Sequence, residues 1–358
     1  MSIPRQQIRF ARAHDGVRLA YAVSGSGEPV VIKAATWLSH IEQDWESPVW
    51  NHLLRELSVR STFVRYDERG CGLSDWDVAD LSFESWVRDL ETVADAVGAE
   101  RFALLGISQG AAVAIAYAVR HPERVSHLVL HGGYARGRLI RSNTDEQREE
   151  AEMMCRLAQL GWGKQDPSFR QFFTTQFIPG GTPEQHEWFN EMERLSTSPQ
   201  NAARFMREFN VIDVTHLLRE VECPTLILHS VNDVRVPFEE GRLLARGIED
   251  AEFVSIDSGN HLLLEHERGW QRWIDAVRQF LPDTSVAPGP AAFASLSPRQ
   301  QEILELIARA RDNAQIAATL NVSEKTVRNQ VSLIFEKLGV ESRAQAVVLA
   351  RDAGLGQS

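Results

Sequence analysis

Short apolar runs alternate with amphipathic segments over roughly the first 280 residues of the chain. The runs RFALLGIS (101–108), VSHLVLHGG (125–133) and CPTLILHS (223–230) have the length and the branched side chains typical of strands. Segment 83–98 has apolar positions at helical spacing and ends on Gly98, which predicts a helix with a glycine C-cap. This alternation predicts an α/β fold, in which helices cover both faces of a parallel sheet.

The strand pattern stops between about Tyr134 and Ile212, where the pattern becomes helical. This segment holds 10 aromatic residues in 79, about 13%, against 8% for the whole chain. An aromatic-rich helical insert is typical of a cap that lies over the ends of a parallel sheet and encloses an apolar pocket. The alternative is that these rings only pack the cap onto the sheet.

The pattern changes again at 282–294, where proline and small residues predict a semi-stiff linker. We therefore expect a first domain at 1–281, with its cap at about 134–212, and a second, all-helical domain at 295–358. The net charge of −11 is unevenly divided: the residues from Leu296 onward carry about +1 and the remainder about −12. Only the C-terminal domain is therefore suited to approach phosphate without strong repulsion.

Composition and cysteine spacing indicate the cellular compartment of the protein. The three cysteines (Cys71, Cys155 and Cys223) are far apart and have no metal-binding spacing. No apolar run approaches the ~20 residues of a membrane span, and the first residues contain no apolar signal region. These features predict a cytoplasmic protein without disulfide bonds, and we expect neither a cofactor nor a metal.

One apolar run ends in a nucleophile motif, Gly-x-Ser-x-Gly at 106–110. Ser108 follows a predicted strand and precedes a helix of small residues, which is the context of a serine on a sharp strand-to-helix turn. Such a serine needs a base and an acid that orients the base. Asp233 and His261 each follow a later predicted strand, so they are the candidate acid and base.

The chain order Ser108, Asp233, His261, together with YDERGCGLSD at 66–75, resembles the α/β-hydrolase family over about residues 7–281. The resemblance implies an oxyanion hole formed by backbone N–H groups of Gln109 and of Thr36 or Trp37. Related hydrolases usually carry His-Gly before this point, whereas this chain has Ala34-Ala35.

Segment 36–50 resembles the version of this domain that is fused to bacterial signalling modules, which favours a regulatory use. We predict that Trp37, His40 and Trp45 from this segment line a ligand pocket.

Residues 296–354 resemble the LuxR-type helix-turn-helix. Helix caps are predicted at Ser297, Asp312 and Ser323, and the third helix carries an apolar face. Because that face packs inside the domain, the residues on the opposite face of the helix point outward, toward the major groove of DNA. The predicted DNA-binding residues are Lys325, Thr326, Arg328, Asn329, Ser332 and Lys337. In the family the short fourth helix is a dimer face, so the resemblance implies a homodimer on a two-fold operator.

These features predict a transcription regulator whose hydrolase-like domain senses a small, partly apolar molecule with an ester, lactone or similar carbonyl. Two alternatives remain open. One is a working serine esterase or lactonase whose tail only recruits or dimerises. The other is a bifunctional protein that degrades its own signal. For the tail alone, a three-helix interaction module with a solvated basic face is a further alternative.

Overall fold

A computed structural model describes residues 5–164, 166–281, 296–309 and 311–338, and beyond these the single residues 340, 343, 346, 347, 350 and 355. The chain forms two compact units, Met1–Asp283 and Thr284–Ser358. The linker expected at 282–294 lies outside the described residues. Within the described parts, no helix is long and apolar enough to cross a membrane.

The larger unit is built on one eight-stranded sheet. Its strands are β1 (Gln7–Arg12), β2 (Arg18–Ser24), β3 (Val30–Lys33), β4 (Thr62–Tyr66), β5 (Phe102–Ile107), β6 (Val125–His131), β7 (Thr225–Ser230) and β8 (Glu252–Ile256). They lie in the order β1-β2-β4-β3-β5-β6-β7-β8. Strand β2 is antiparallel to both its neighbours, and all pairs from β4 to β8 are parallel. The predicted α/β class with a mostly parallel sheet is therefore confirmed.

Helices connect the strands and form the cap. They are α1 (Ile41–Trp45), α2 (Asn51–Arg60), α3 (Phe83–Val97), α4 (Gly110–Arg120), α5 (Arg138–Arg141), α6 (Asp145–Gly161), α7 (Pro167–Phe177), α8 (Pro183–Ser196), α9 (Pro199–Val211), α10 (Phe238–Gly247) and α11 (Arg268–Phe280). A 3₁₀ turn covers Thr215–Glu220. Helix α3 ends on Gly98 in the left-handed conformation, as its sequence predicts.

The core lies where β5 and α4 pack together near the centre of the sheet. Every residue of β5 is buried, as is almost all of α4, because small side chains let this helix approach the strand closely. The five helices between β6 and β7, α5 to α9, form the aromatic-rich cap. Its rings pack on one another and on Trp37, which stacks on Trp162 with ring centroids 4.9 Å apart. Some of the cap aromatics therefore do pack the cap onto the sheet domain, as the alternative expected.

A buried arginine anchors the loop that follows β4. The side chain of Arg69 is fully buried, and its guanidinium donates to Asp89 on α3 at 2.6 and 2.7 Å. It also donates to Asp15 in the β1–β2 turn at 2.6 Å. The 66–75 segment thus owes its place to a charge network, because a buried guanidinium needs carboxylate partners.

The C-terminal unit has three helices in the described residues: α12 (Pro298–Ala308), α13 (Asn313–Leu320) and α14 (Glu324–Leu338). Capping boxes begin α12 at Ser297 and α13 at Asp312. The apolar faces meet in a separate small core that includes Ile303, Leu320 and Val331. Most of the predicted fourth helix lies outside the described residues.

We expect Gly106→Ala to destabilise the larger unit by about 1–3 kcal/mol, because overpacking a tight core forces backbone shifts. A Cβ at Gly106 would lie 2.6 Å from Ala111 Cα and 2.8 Å from the Gly110 carbonyl oxygen. Urea unfolding followed by tryptophan fluorescence measures this unit alone, because all nine tryptophans precede residue 282.

The matched control is Gly259→Ala, because a Cβ there has only the Asn232 carbonyl oxygen nearby, at 3.9 Å. Equal unfolding free energies for the two variants would contradict the prediction.

Candidate functional site

Ser108 lies at a sharp turn between β5 and α4, with φ of +54°. Its backbone N–H donates to the His131 carbonyl at 3.0 Å, which fixes the turn against β6. A Cβ at Gly110 would lie 2.9 Å from the Ala35 carbonyl oxygen, so the start of α4 touches the loop after β3. Small residues on both sides of Ser108 therefore permit this turn.

Asp233 and His261 form a buried hydrogen-bonded pair. Asp233 follows β7 and His261 follows β8, and His261 Nδ1 lies 2.7 Å from Asp233 Oδ2. The second carboxylate oxygen accepts the backbone N–H groups of Arg235 at 2.8 Å and Val236 at 2.9 Å. Burial alone would raise the pKa of Asp233, but His261 and these hydrogen bonds outweigh it and lower the pKa. The acid therefore stays ionised and orients the imidazole.

The other imidazole nitrogen of His261 is buried, and no described residue gives it a hydrogen-bond partner. Ser108 and His261 line the same cavity. The structure thus brings the three candidate triad residues together, with the acid–base hydrogen bond formed and the serine–base hydrogen bond not formed.

The cap holds the loop that carries His261. The Phe177 carbonyl at the end of α7 accepts the backbone N–H of His261 at 2.9 Å and that of Leu262 at 3.2 Å. The Gly180 N–H donates to the Asn260 side chain at 2.8 Å. The position of the candidate base is therefore tied to the cap as well as to the sheet.

The predicted oxyanion-hole residues also meet at Ser108. Thr36, Trp37 and Gln109 all line the cavity that Ser108 and His261 share. Gln109 is the N-cap of α4, and its side chain donates to the Ala35 carbonyl at 3.3 Å. Lys33 Nζ donates to Thr36 Oγ1 at 3.1 Å. The loop after β3 is thus held against the turn at Ser108 without the usual His-Gly. Backbone N–H groups at the start of a helix stabilise a developing negative charge.

Two small cavities adjoin Ser108. The first, here the serine cavity, has a volume of about 20 Å³ and is lined by Thr36, Trp37, Leu38, Trp50, Ile107, Ser108, Gln109, Phe177, Phe189, His261 and Leu262. The second, here the arginine cavity, has a volume of about 30 Å³ and is lined by Trp37, Ser108, Gln109, Tyr134, Arg138, Arg141, Phe209, Asn210, Arg235 and Val236. A water molecule needs roughly 10–15 Å³ measured this way, so each cavity has room for only a few water molecules.

Of the three predicted pocket residues, only Trp37 borders these two cavities. His40 instead caps α1, where its Nδ1 accepts the Gln43 N–H at 3.4 Å. Trp45 lies under the guanidinium of Arg65, which is 5.8 Å from its ring centroid. The helical turn of α1 directs both side chains to structural contacts.

Several cavity residues escaped the sequence interpretation. Trp50 comes from the start of α2, and Phe177 and Phe189 come from the cap. The aromatic enrichment of the cap was a signal for the two phenylalanines as a class, although it did not single them out. The three arginines of the second cavity had no such signal, because arginine is common on surfaces.

The third helix of the C-terminal unit presents a polar face. Val327, Val331 and Ile334 are buried, whereas Arg328, Asn329 and Ser332, which lie between them in sequence, are exposed. The exposed set contains Lys325, Thr326, Arg328, Asn329, Ser332 and Lys337. This arrangement suits a helix that meets phosphates and base edges in a groove.

Three residues of this exposed set also have local roles. Thr326 Oγ1 lies 2.8 Å from Ser323 Oγ at the start of α14, and Ser332 Oγ donates to the Arg328 carbonyl at 3.2 Å. Lys337 Nζ donates to Gln300 Oε1 at 2.8 Å. Lys337 therefore ties α14 to the start of α12, in addition to any contact with phosphate.

Comparison with known proteins matches two parts of the chain to two different families. Residues 39–181 match the family described as alpha/beta hydrolase fold. The chain is 26% identical over 268 residues to pyrrolizixenacetamide deacetylase from Xenorhabdus hominickii, covering 74% of this chain and 94% of that protein. The structure superposes on a hydrolase from Pseudomonas aeruginosa PA01 with a TM-score of 0.64 at 22% identity, covering 76% and 98% of the two chains.

Residues 294–350 match the family described as bacterial regulatory proteins, luxR family. Spore germination protein GerE from Bacillus subtilis (strain 168) is 47% identical over 53 residues, which cover 15% of this chain and 72% of that protein.

A buried histidine beside the triad makes stability depend on pH. His131 Nε2 lies 3.2 Å from the His261 carbonyl oxygen, and burial lowers the pKa of His131 to about 3. In the unfolded chain His131 takes up a proton near pH 6.5, whereas in the folded chain it stays neutral at that pH. The free energy of unfolding should therefore fall as pH falls from about 6.5 to 3, by about 1.4 kcal/mol per pH unit for this group.

His131→Gln should reduce that slope in urea unfolding measured between pH 7 and 4. His266→Gln, which replaces an exposed histidine, is the control. A slope unchanged by His131→Gln would refute this assignment.

Proposed function

Because the chain belongs to the luxR family of bacterial regulatory proteins through its C-terminal unit, and carries an alpha/beta-hydrolase fold before it, we propose that it is a ligand-responsive transcription regulator. In this proposal the hydrolase-type unit binds a small molecule and the C-terminal unit binds DNA as a dimer. The luxR-family unit in the same chain is the observation that carries it, because an enzyme alone has no use for a DNA-reading helix.

The site beside Ser108 has the chemistry for a ligand with an ester, lactone or similar carbonyl. Ser108 would attack this carbonyl, and His261 would take the serine proton through Nε2 while Asp233 holds the ring. Backbone N–H groups of Gln109 and of Thr36 or Trp37 would stabilise the oxyanion. The 2.7 Å acid–base hydrogen bond supports these roles.

Two features favour slow turnover over rapid catalysis. The serine–base hydrogen bond is not formed among the described residues, and the cavities beside Ser108 measure only about 20 and 30 Å³. The same groups can also bind a carbonyl ligand by hydrogen bonds.

The second candidate, a serine esterase with an accessory tail, is favoured by the presence of all three triad residues.

Ser108→Ala should abolish hydrolysis of 4-nitrophenyl butyrate, which we expect the wild type to turn over far below a typical ~10 per second. It should also change the output of a reporter driven by the operator while leaving DNA affinity intact, since Ser108 belongs to the sensing unit. Ser168→Ala, at an exposed serine of α7, is the control. Rapid Ser108-dependent hydrolysis with unchanged reporter output would mean that the unit is an enzyme first.

The DNA-binding part of the proposal rests on α14. Its exposed Lys325, Arg328 and Asn329 carry donors that suit phosphates and base edges, while its opposite face is buried. The net charge of this unit, about +1 against about −12 for the rest, supports binding through this part of the chain. A dimer on a two-fold operator follows from the luxR-family resemblance.

Arg328→Ala in the full chain should weaken operator binding by about 1–3 kcal/mol, because it removes a guanidinium suited to bidentate contact with guanine. Binding is measured by fluorescence anisotropy at fixed salt, since phosphate contacts are salt-dependent. Arg309→Ala removes a cation from the C-cap of α12, outside the proposed reading helix, and should cost much less. Equal losses for both variants would argue against α14 as the reading helix.

A further inference from the structure

The arginine cavity concentrates positive charge beside the candidate nucleophile. Arg138 and Arg141 come from α5, at the start of the cap, and Arg235 comes from the loop after β7. All three side chains border the same space of about 30 Å³ as Ser108. Cations so close together repel one another unless an anion lies between them.

Two of the three guanidinium groups have no carboxylate within 4 Å among the described residues. Arg235 donates to the neutral Gln176 side chain at 3.2 Å, and Arg141 donates to the Arg136 carbonyl at 3.0 Å. Arg138 does face a carboxylate, since it lies 3.3 Å from Glu150, whose side chain is half exposed.

Neighbouring arginines of this protein are paired differently. Arg136, on the same segment, makes a 2.6 Å salt bridge with the buried Glu240. Among these arginines, the lack of a carboxylate partner is therefore particular to Arg141 and Arg235. Burial lowers the pKa of Arg235 to about 10, and the charges of Arg138 and Arg141 act in the same direction.

The remaining wall suits an oxyanion held in a fixed position. Tyr134 and Asn210 add a phenol and an amide, and the rings of Trp37 and Phe209 close the apolar sides. Asp233 is the nearest acid in sequence to Arg235, but His261 and two backbone N–H groups already occupy its oxygens. The residues that line the cavity thus offer donors and cations, and none of them is acidic.

We propose that the arginine cavity binds the carboxylate group of the small molecule sensed at Ser108, with Arg141 and Arg235 as its principal partners. This inference rests on the proposed function, because it names the chemical class of that ligand: a small organic acid, or the acid end of a larger ester or lactone. A carboxylate fits better than a phosphate, because the cavity holds only about two water molecules' volume.

The test compares butyrate with butyramide, which has nearly the same shape and no charge. Isothermal titration at low salt gives the affinity of each for the full-length Ser108→Ala chain, so that binding does not depend on catalysis. Butyrate should bind roughly 10-fold to 100-fold more tightly than butyramide, as charge-assisted hydrogen bonds to two arginines allow. Inorganic phosphate is a third arm.

Arg235→Gln and Arg141→Gln should each reduce this preference at least about tenfold. Arg148→Gln, on the exposed surface of α6, should leave it unchanged. Thermal unfolding identifies any variant that fails to fold, and the other arginine variant then decides.

Three outcomes would overturn the proposal: equal affinity for butyrate and butyramide, a preference for butyrate that survives both substitutions, or no saturable binding of butyrate. Tighter binding of phosphate than of butyrate would overturn the choice of carboxylate. None of these outcomes depends on whether Ser108 is catalytic, so the regulator hypothesis is tested separately by the reporter output of Ser108→Ala.

Discussion

The strand-to-helix turn at Ser108 is the constraint on which the rest of the larger unit depends. A serine with φ of +54° occupies a conformation that costs of order 1–3 kcal/mol unless its surroundings enforce it. Here β5 and α4 enforce it from both sides, and both elements lie in the centre of the core. The loops after β3, β7 and β8 then meet at this turn, because the parallel strands end at the same edge of the sheet.

The cap contributes to the site mechanically as well as by lining it. The Phe177 carbonyl holds the backbone of His261, and Phe177 belongs to α7 rather than to the sheet. A change in the position of α7 therefore acts on the base directly. In a sensing domain, this connection gives a bound molecule a physical route from the pocket wall to the chemistry beneath it, whereas in an esterase it would couple cap closure to assembly of the triad.

Much of this architecture follows from local sequence patterns. Apolar runs located the parallel strands, Gly98 located the end of α3, and capping residues located α12 and α13, since each is a short-range effect. The meeting of Ser108, Asp233 and His261 was predictable because strand order fixes it. The roles of His40 and Trp45 were not, because the turn of α1 decides which way their side chains face. The arginine cavity depends on segments about 100 residues apart, for which no local pattern exists.

The small size of the two cavities affects the rates of ligand association and dissociation rather than the affinity. Only about 20 and 30 Å³ of space lies beside Ser108, so a molecule larger than a few waters needs lining side chains such as Trp37 and Phe189 to move before it fits inside. A conformational opening before entry slows association, and the same closure slows escape once the walls have repacked. Under the proposed function, such slow exchange would average the ligand concentration over the residence time of one bound molecule.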